Sequence, residues 1–384
     1  MKAGKKPLGI YVHIPFCVQK CRYCDFLSFP CDIKTQEAYV EALCREIDGL
    51  SEKSAPDPNY FVPTVYFGGG TPSLLTPALL EKILCKLKTV FCIVPDAEIT
   101  LEANPGTLTK EKLAAYCAMG INRLSIGLQS ADEEELKLLG RIHTWEMFRE
   151  NYEAAREAGF YNINVDVMTA LPGQTAKKLG RTLEKVLALS PEHISAYSLI
   201  IEEGTPFYEI YGGLNGCPEL PDEEAERALY YLTRDTLVKN GYLHYEISNF
   251  ARPGYESRHN GAYWTRQDYV GLGLGAASLL DNVRWRNEEE LAAYLENPCK
   301  ISERLSLEKA AQMEEFLFLG LRLMRGVDEA EFYGAFHARL TQMYGTPLKK
   351  LMQEGLLCKK EGRIALTDKG IDYGNYVFSS FLLE

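Results

Sequence analysis

Short apolar runs alternate with longer segments of helical periodicity through the first two thirds of the chain, and this alternation limits the fold more than any other feature. Runs rich in β-branched and aromatic residues begin near Leu8, Thr64, Ala97, Asn122, Asn162 and His193. Segments that follow them, such as 35–50, 77–91 and 222–240, repeat their apolar residues at helical spacing. Because strands that alternate with helices build parallel sheets, we predict an α/β fold in which six β/α units form a curved, incomplete barrel.

Polar or glycine residues stand where each predicted strand ends. In strand order these positions are the loop 17–24, the segment 68–72, Glu102, Gln129, Asp166 and the segment 197–202. Barrel enzymes place their chemistry at the C-terminal ends of the strands. We therefore expect these residues to form a single site.

Three cysteines, Cys17, Cys21 and Cys24, lie within eight residues as CVQKCRYC. Three thiolates on a short loop can hold three corners of an iron–sulfur cubane and leave the fourth iron open, whereas a fully ligated cluster takes four cysteines. Two alternatives stay open: a zinc site completed by His13, and Cys31 as a fourth cluster ligand. A histidine inside the apolar run IYVHIP is more typical of a strand, and the Phe-Pro before Cys31 is typical of a turn.

The chain is acidic, with 42 Lys and Arg against 53 Asp and Glu and a formal net charge of −11 over 384 residues. A field of this sign repels phosphate backbones, so we expect no nucleic-acid partner. No window approaches the roughly 18 consecutive apolar residues of a spanning helix, and the N-terminus lacks the apolar core of a signal peptide. The odd number of cysteines, 11, fits a reducing compartment. We predict a cytoplasmic protein.

The stretch IYVHIPFCVQKCRYCDF resembles the Cx3Cx2C cluster loop of radical S-adenosylmethionine (SAM) enzymes. The resemblance is strongest to the family of oxygen-independent coproporphyrinogen III oxidase and its heme-chaperone (HemW) branch. It continues, in family order, through the blocks YFGGGTPS, LEANPGT, SIGLQS, LGRIHT, LPGQT, YEISNFARPGYESRHN and YW. The resemblance implies a radical SAM barrel, in which a [4Fe-4S] cluster on the three cysteines is chelated by SAM.

The same block matching implies which residues contact SAM. The candidates are Tyr11, Tyr23, Gly69, Gly70, Thr71, Glu102, Gln129, Arg141 and Asp166. The triple glycine suits this role because backbone amides without a Cβ atom can approach a ligand closely. For the other candidates, the alternative is a hydrogen bond at a strand end or a surface ion pair.

The segment 250–286 is locally basic and holds Trp264 and Trp285, two of the three tryptophans. Five arginines stand against three carboxylates, a balance of 5 − 3 = +2 in a chain of −11. Aromatic planes beside arginines suit a flat macrocycle that bears carboxylates. The candidate heme residues are Arg258, His259, Tyr263 and Trp264, with His259 as an axial ligand. The alternative is that His259 and Asn260 cap a turn while Tyr263 and Trp264 fill the core.

The pattern changes from about residue 300. We predict helices over 306–324 and 328–343, followed by a strand, a Glu361-Gly362 turn, a second strand and a closing helix. This is a winged-helix-like α+β outline without a concentrated basic face, which favours a lid on the barrel mouth over a DNA-binding module. The predicted domains are a core barrel over 1–250, a connecting segment over 251–300 and a C-terminal domain over 301–384.

Two functions compete within the family. One is the oxidative decarboxylation of coproporphyrinogen III; the other is binding heme and delivering it to acceptor proteins, including membrane-associated ones. The oxidase carries an N-terminal extension and a fourth cysteine two residues after the third, whereas this chain has few residues before Leu8 and has Phe26 at that position. These differences and the H-N-x-x-Y-W block favour the heme-chaperone branch. A radical SAM enzyme acting on another tetrapyrrole is a third alternative, and each needs an electron donor such as a flavodoxin or ferredoxin.

Overall fold

The computed structural model describes residues 4–53, 59–212 and 219–382. Six parallel strands follow one another in sheet order as they do in sequence. These are β1 (Lys6–Ile14), β2 (Tyr60–Gly69), β3 (Ile93–Ala103), β4 (Arg123–Gln129), β5 (Ile163–Thr169) and β6 (His193–Ser198). The α/β architecture and the six predicted strands are confirmed.

Helices connect these strands and bury their apolar faces against the sheet in one continuous core. They are α1 (Ile33–Lys53), α2 (Pro77–Val90), α3 (Lys110–Met119), α4 (Glu133–Leu138), α5 (Trp145–Glu157) and α6 (Ala176–Ala188), with a 3₁₀ turn at Pro72–Leu74. Four of them begin in the same way, because a threonine hydroxyl accepts a hydrogen bond from the amide three residues further on. The capping residues are Thr76, Thr109, Thr144 and Thr175.

The chain then extends the sheet at both edges. The elements are α7 (Pro206–Tyr211), α8 (Glu223–Lys239), β7 (Leu243–Glu246), β8 (Asn249–Ala251), α9 (Arg258–Trp264), β9 (Tyr269–Leu272), β10 (Ala277–Leu280), β11 (Val283–Asn287), α10 (Leu291–Glu296) and β12 (Ile301–Ser306). β8 pairs antiparallel with β6, whereas β9 pairs parallel with β1 on the opposite side. Among the described residues the sheet therefore has twelve strands, in the order β12-β11-β10-β9-β1-β2-β3-β4-β5-β6-β8-β7. Three strands of the predicted connecting segment, β9 to β11, lie in this sheet; the domain boundaries at 250 and 300 stay predictions.

A smaller unit with its own core follows. It comprises α11 (Lys309–Gly320), β13 (Val327–Asp328), α12 (Glu329–Phe336), α13 (Leu340–Gln353), β14 (Leu357–Lys360), β15 (Arg363–Leu366), α14 (Asp368–Asp372) and α15 (Gly374–Ser379). The predicted strand–turn–strand–helix outline is confirmed, with Glu361 and Gly362 both at positive φ in the turn. The predicted single helix over 328–343 is wrong, because the helix ends at His337 in the left-handed conformation and a second one begins at Leu340.

The helices in the described parts of the chain include none that is long and apolar enough to cross a membrane.

Candidate functional site

The C-terminal ends of the six parallel strands surround a cavity of about 490 Å³. It is lined by the three predicted cluster cysteines and by all the predicted SAM contacts except Tyr11. These are Cys17, Cys21, Tyr23, Cys24, Gly69, Gly70, Thr71, Glu102, Gln129, Arg141 and Asp166. The strand ends thus bring these residues together around one cavity, and their roles as ligands stay predictions.

The C-terminal unit does not cover this cavity, which differs from the predicted lid. No described residue after Asn260 lines the cavity. The unit instead packs against α8 and the β7 region, where the Asp372 carboxylate accepts a hydrogen bond from Tyr231 at 2.9 Å and the Met324 amide donates to the Tyr245 carbonyl at 3.0 Å. The cavity mouth is therefore formed by the loops of the barrel itself.

The cluster loop is closed by backbone hydrogen bonds. The Cys17 amide donates to the Phe29 carbonyl at 3.1 Å, and the Phe29 amide donates to Pro15 at 2.9 Å. Further along the loop, the Arg22 amide donates to the Leu139 carbonyl at 3.0 Å, which ties the loop to the residue that follows α4. These bonds present three half-buried thiols to one cavity.

The cysteine surroundings fit a cluster better than a zinc ion. Both ring nitrogens of His13 are already bonded, Nδ1 to the Tyr11 hydroxyl at 3.0 Å and Nε2 to the Leu27 carbonyl at 2.9 Å. Within the described ranges, no three His, Cys, Asp or Glu side chains lie close enough together to hold a single metal ion. Thiolates on different irons of a cubane lie farther apart than thiolates on one tetrahedral zinc. Cys31 does not line the cavity.

The glycine segment after β2 packs directly against the cluster strand. A Cβ atom on Gly69, whose φ is +110°, would lie 2.5 Å from the His13 ring, and one on Gly70 would lie 2.7 Å from the Phe16 carbonyl oxygen. The Gly69 amide donates to Glu102 Oε2 at 3.1 Å, and the Gly70 amide donates to the Ile14 carbonyl at 2.9 Å. The glycines are therefore required for close packing. We expected their amides to face a ligand, but the Gly69 and Gly70 amides donate to groups of the protein itself.

Two carboxylates, Glu102 and Asp166, line the cavity together with the guanidinium groups of Arg123 and Arg141. Glu102 Oε1 accepts from the Tyr66 hydroxyl at 2.8 Å, and Asp166 Oδ1 accepts from Asn164 Nδ2 at 2.7 Å. Burial, with repulsion from Asp166, raises the pKa of Glu102 to about 7, and burial also raises the pKa of Asp166. A cationic ligand beside these carboxylates would offset the cost of ionising them, as the Arg123 guanidinium of the same lining does in part.

Arg141 joins the cluster loop to the strand ends. Its Nη2 donates to Asn104 Oδ1 at 2.6 Å and to the Gly127 carbonyl at 2.7 Å, while Nη1 lies 3.5 Å from Cys21 Sγ. Asn104 in turn donates to Thr71 Oγ1 at 2.7 Å, and that hydroxyl lies 3.5 Å from Cys17 Sγ. Asn104 was missed by sequence reasoning, although its position two residues after Glu102, at the same strand end, was an available signal.

The candidate heme residues share helix α9, but none of them lines the cavity. Both ring nitrogens of His259 are engaged, Nδ1 with Thr64 Oγ1 at 3.0 Å and Nε2 with the Tyr263 hydroxyl at 2.9 Å. His259 is 1% exposed, and its ring stacks on the Tyr66 ring with 5.1 Å between the ring centroids. Burial lowers the pKa of His259 to about 3. His259 therefore has no free nitrogen for heme iron in this structure.

The other candidates on α9 also face protein. The Arg322 guanidinium carbon lies 4.5 Å from the centroid of the Trp264 ring. The exposed Arg258 donates from Nη1 to the Asp96 carbonyl at 2.9 Å. Tyr11 lies two residues before His13 on the same face of β1 and stacks on Tyr66 at 6.3 Å. The structure thus favours the alternative in which the α9 aromatic residues fill the core. Tyr11 does not line the cavity, although its stacking partner Tyr66 does.

Comparisons with known proteins agree with this architecture. The radical SAM superfamily profile matches residues 11–186, and the HemN C-terminal domain profile matches residues 307–373. The heme chaperone HemW of Lactococcus lactis is 38% identical over 99% of this chain and 98% of its own length. The chain belongs to the HemW family of radical SAM proteins.

Two further relatives place the chain within this group. The heme chaperone HemW of Escherichia coli is 33% identical over 98% of this chain and 99% of its own length. The solved structure of coproporphyrinogen III oxidase (HemN) from Escherichia coli, described as a radical SAM enzyme, superimposes with a TM-score of 0.84 at 25% identity, covering 99% of this chain and 91% of that chain. The radical SAM barrel with its C-terminal domain is confirmed, and the radical SAM family implies a [4Fe-4S] cluster and SAM.

Proposed function

We propose that the protein is a heme chaperone, which binds a [4Fe-4S] cluster, SAM and heme and delivers the heme to acceptor proteins. The observation that carries this proposal is that relatives named heme chaperone HemW are 33–38% identical over 97–99% of the chain. Phe26, at the position of the oxidase's fourth cysteine, supports the same branch. Acceptor proteins, including membrane-associated ones, and a cytoplasmic location belong to this proposal.

Cys17, Cys21 and Cys24 would hold the cluster, and the open iron would face the cavity. SAM carries a sulfonium and an ammonium group, so the Glu102 and Asp166 carboxylates suit it electrostatically. Thr71, Gln129, Arg141 and the ring of Tyr23 line the rest of the cavity. When reduced by a flavodoxin or ferredoxin, the SAM-bound cluster supplies one-electron chemistry; the residues here bind and orient SAM.

A second candidate function is coproporphyrinogen oxidation, because the oxidase structure superimposes on nearly the whole chain. The shared fold does not separate the two functions, since binding a tetrapyrrole and oxidising one can use the same scaffold. Phe26 in place of the oxidase's fourth cysteine and the higher identity to relatives named heme chaperone HemW both favour the chaperone.

One preparation can test both functions. After anaerobic cluster reconstitution, we expect the protein to bind hemin at micromolar concentration and to form no protoporphyrinogen from coproporphyrinogen with SAM and a reductant. Cys17→Ala, Cys21→Ala and Cys24→Ala should each lose the broad visible iron–sulfur absorbance, because each removes a corner ligand. Cys31→Ala is the matched control and should keep it.

Formation of protoporphyrinogen would replace the chaperone with the oxidase. Failure to bind hemin would remove the chaperone proposal without replacing it. Stoichiometric zinc in place of iron, or loss of the cluster in the Cys31 variant alone, would overturn the assignment of the three ligands.

A further inference from the structure

Large apolar side chains surround the mouth of the cavity and stand in solvent. They come from the cluster loop, the segment after α4 and the segment after β6, and their side chains all line the cavity. The exposed fractions are 58% for Val18, 63% for Phe26, 60% for Ile142 and 67% for Ile200. Scattered single apolar residues on a surface need no explanation, but a set gathered around one concave site marks a binding surface.

The charges at this mouth are unevenly placed. Lys20 is exposed on the cluster loop among the residues that line the cavity, and Arg22 is exposed two residues further on. Asp25 and Glu202 are the exposed carboxylates of the lining. Lys20 is the exposed cation among the described lining residues, so the anionic edge of an apolar ligand would face Lys20 and lie away from Asp25 and Glu202.

The imidazole that the described residues contribute to the lining is buried below the mouth. His143 lines the cavity, but it is 4% exposed and its Nε2 contacts the Leu128 carbonyl at 3.1 Å. His259 has both nitrogens engaged inside the barrel. Because both histidines are buried, a ligand at the mouth meets the exposed apolar side chains and Lys20 rather than an exposed imidazole.

We propose, building on the proposed function, that heme lies across the mouth of the cavity. Its macrocycle covers Val18, Phe26, Ile142 and Ile200, which form the apolar rim, and its propionates face Lys20. In this position heme closes the SAM cavity from solvent. A heme held without a histidine ligand is also one that an acceptor protein with a stronger ligand set can remove.

Hemin titration of the cluster-loaded chain tests this placement. The double variant Ile142→Ser/Ile200→Ser should weaken hemin binding by more than about tenfold, because both substitutions remove apolar contact between the rim and the macrocycle. The matched control is Ile301→Ser/Leu305→Ser, which alters two exposed apolar residues of β12 outside the cavity lining and should leave affinity unchanged. Phe26→Ser should act like the double variant while its cluster absorbance stays at the wild-type level.

Two further measurements separate this site from others. Lys20→Ala should weaken binding of hemin but not of hemin dimethyl ester, which lacks the free propionates. Hemin bound beforehand should slow the association of SAM with the wild type and not with Ile142→Ser/Ile200→Ser.

The outcomes distinguish the placement from the function. If the wild type binds no hemin, the proposed function fails and this inference with it. If the wild type binds hemin and the rim variants bind it equally well, while Arg258→Ala/Trp264→Ala loses affinity, heme lies at α9 and the function stands. If the β12 control loses as much affinity as the rim variant, binding is unspecific and the placement is wrong.

Discussion

Glu102 is the residue whose charge state most affects the cavity. Its two oxygens are fixed by Tyr66 and by the Gly69 amide, so the carboxylate cannot turn away from the ligand space. Burial raises its pKa first, and the nearby Asp166 adds to this, while Arg123 and the two hydrogen bonds partly oppose it. The pKa of Glu102 is therefore raised to about 7.

Glu102→Gln should weaken SAM binding by about 1–3 kcal/mol, as expected for a lost hydrogen bond to a charged group. In the wild type, a pKa of about 7 means that Glu102 becomes protonated as the pH falls through 7, so affinity for the SAM cation should fall below that pH. The Gln variant should lose this part of the pH dependence. SAM titrations of reconstituted protein between pH 6 and 8 check this, and equal affinity of both proteins across the range would contradict it.

Sequence reasoning could name most residues of the cavity but not the layer in which each lies. Tyr11 and His13 share one face of β1, and the register with β2 places Tyr11 beside Tyr66, which lines the cavity while Tyr11 does not. His259 likewise lies in a polar, aromatic segment whose composition predicts a metal ligand. In the folded protein its ring instead contacts Thr64, Tyr66 and Tyr263. These contacts join residues far apart in the chain, so no local pattern encodes them.

Helix α9 shows how a short helix is held in place by the barrel. The Glu98 carboxylate on β3 accepts from the backbone amides of Arg258 and His259, each at 3.1 Å. Ser257 caps the same end by accepting from the Asn260 amide at 3.3 Å. A negative charge and three paired amides at its first turn stabilise a helix that is too short to form alone.

Glu98→Ala should lower the free energy of unfolding by about 1–3 kcal/mol, because the buried amide of His259 and its neighbour lose their acceptor. Glu98→Gln keeps one acceptor oxygen and should lose less. Urea unfolding followed by far-UV circular dichroism measures the difference, with Glu303→Ala on the exposed strand β12 as the control. An unfolding midpoint for Glu98→Ala equal to that of the control would show that the cap adds no stability.

The break between α12 and α13 explains why one predicted helix is two. Phe332, Phe336, Leu340 and Tyr344 are all buried and follow one another at a spacing of four, so the apolar pattern continues across the break. The backbone turns at His337, which takes the left-handed conformation at a φ of 51° without a glycine. Periodicity records which face is buried, and it does not record where hydrogen bonding stops.

At the scale of the whole molecule, the sequence predicts the β1 to β6 order because each strand pairs with the next one along the chain. The position of β9 could not be predicted in this way. It pairs parallel with β1, with Gly9 opposite Tyr269, after the chain has crossed the entire sheet. Asn260 is the one described residue of the 250–286 segment that lines the cavity, so the basic, aromatic composition of this segment does not mark the cavity wall.

Glu46 joins helix α1 to the segment that follows β9, which the return of the chain to β1 brings beside it. It lies on α1, is 5% exposed, and accepts from the Gly273 amide at 2.9 Å, from Asn287 Nδ2 at 2.7 Å and from the Tyr294 hydroxyl at 2.6 Å. Burial raises its pKa to about 7 despite these hydrogen bonds. The folded state therefore holds this proton more tightly than the unfolded chain, whose glutamate has the ordinary pKa near 4.5.

This difference sets the sign of a pH effect on stability. Below pH 4.5 Glu46 is protonated in both states, and its full contribution to the free energy of unfolding is present. As the pH rises from 4.5 to about 7, the protein loses up to about 3 kcal/mol of this free energy. We expect the thermal midpoint of the wild type to fall by about 2–3 °C between pH 5.5 and 7.5 relative to Glu46→Gln, which cannot titrate. Glu37→Gln, at an exposed position of the same helix, should follow the wild type. Parallel pH profiles for the wild type and Glu46→Gln would show that Glu46 is already ionised in the folded protein, held by its three donors.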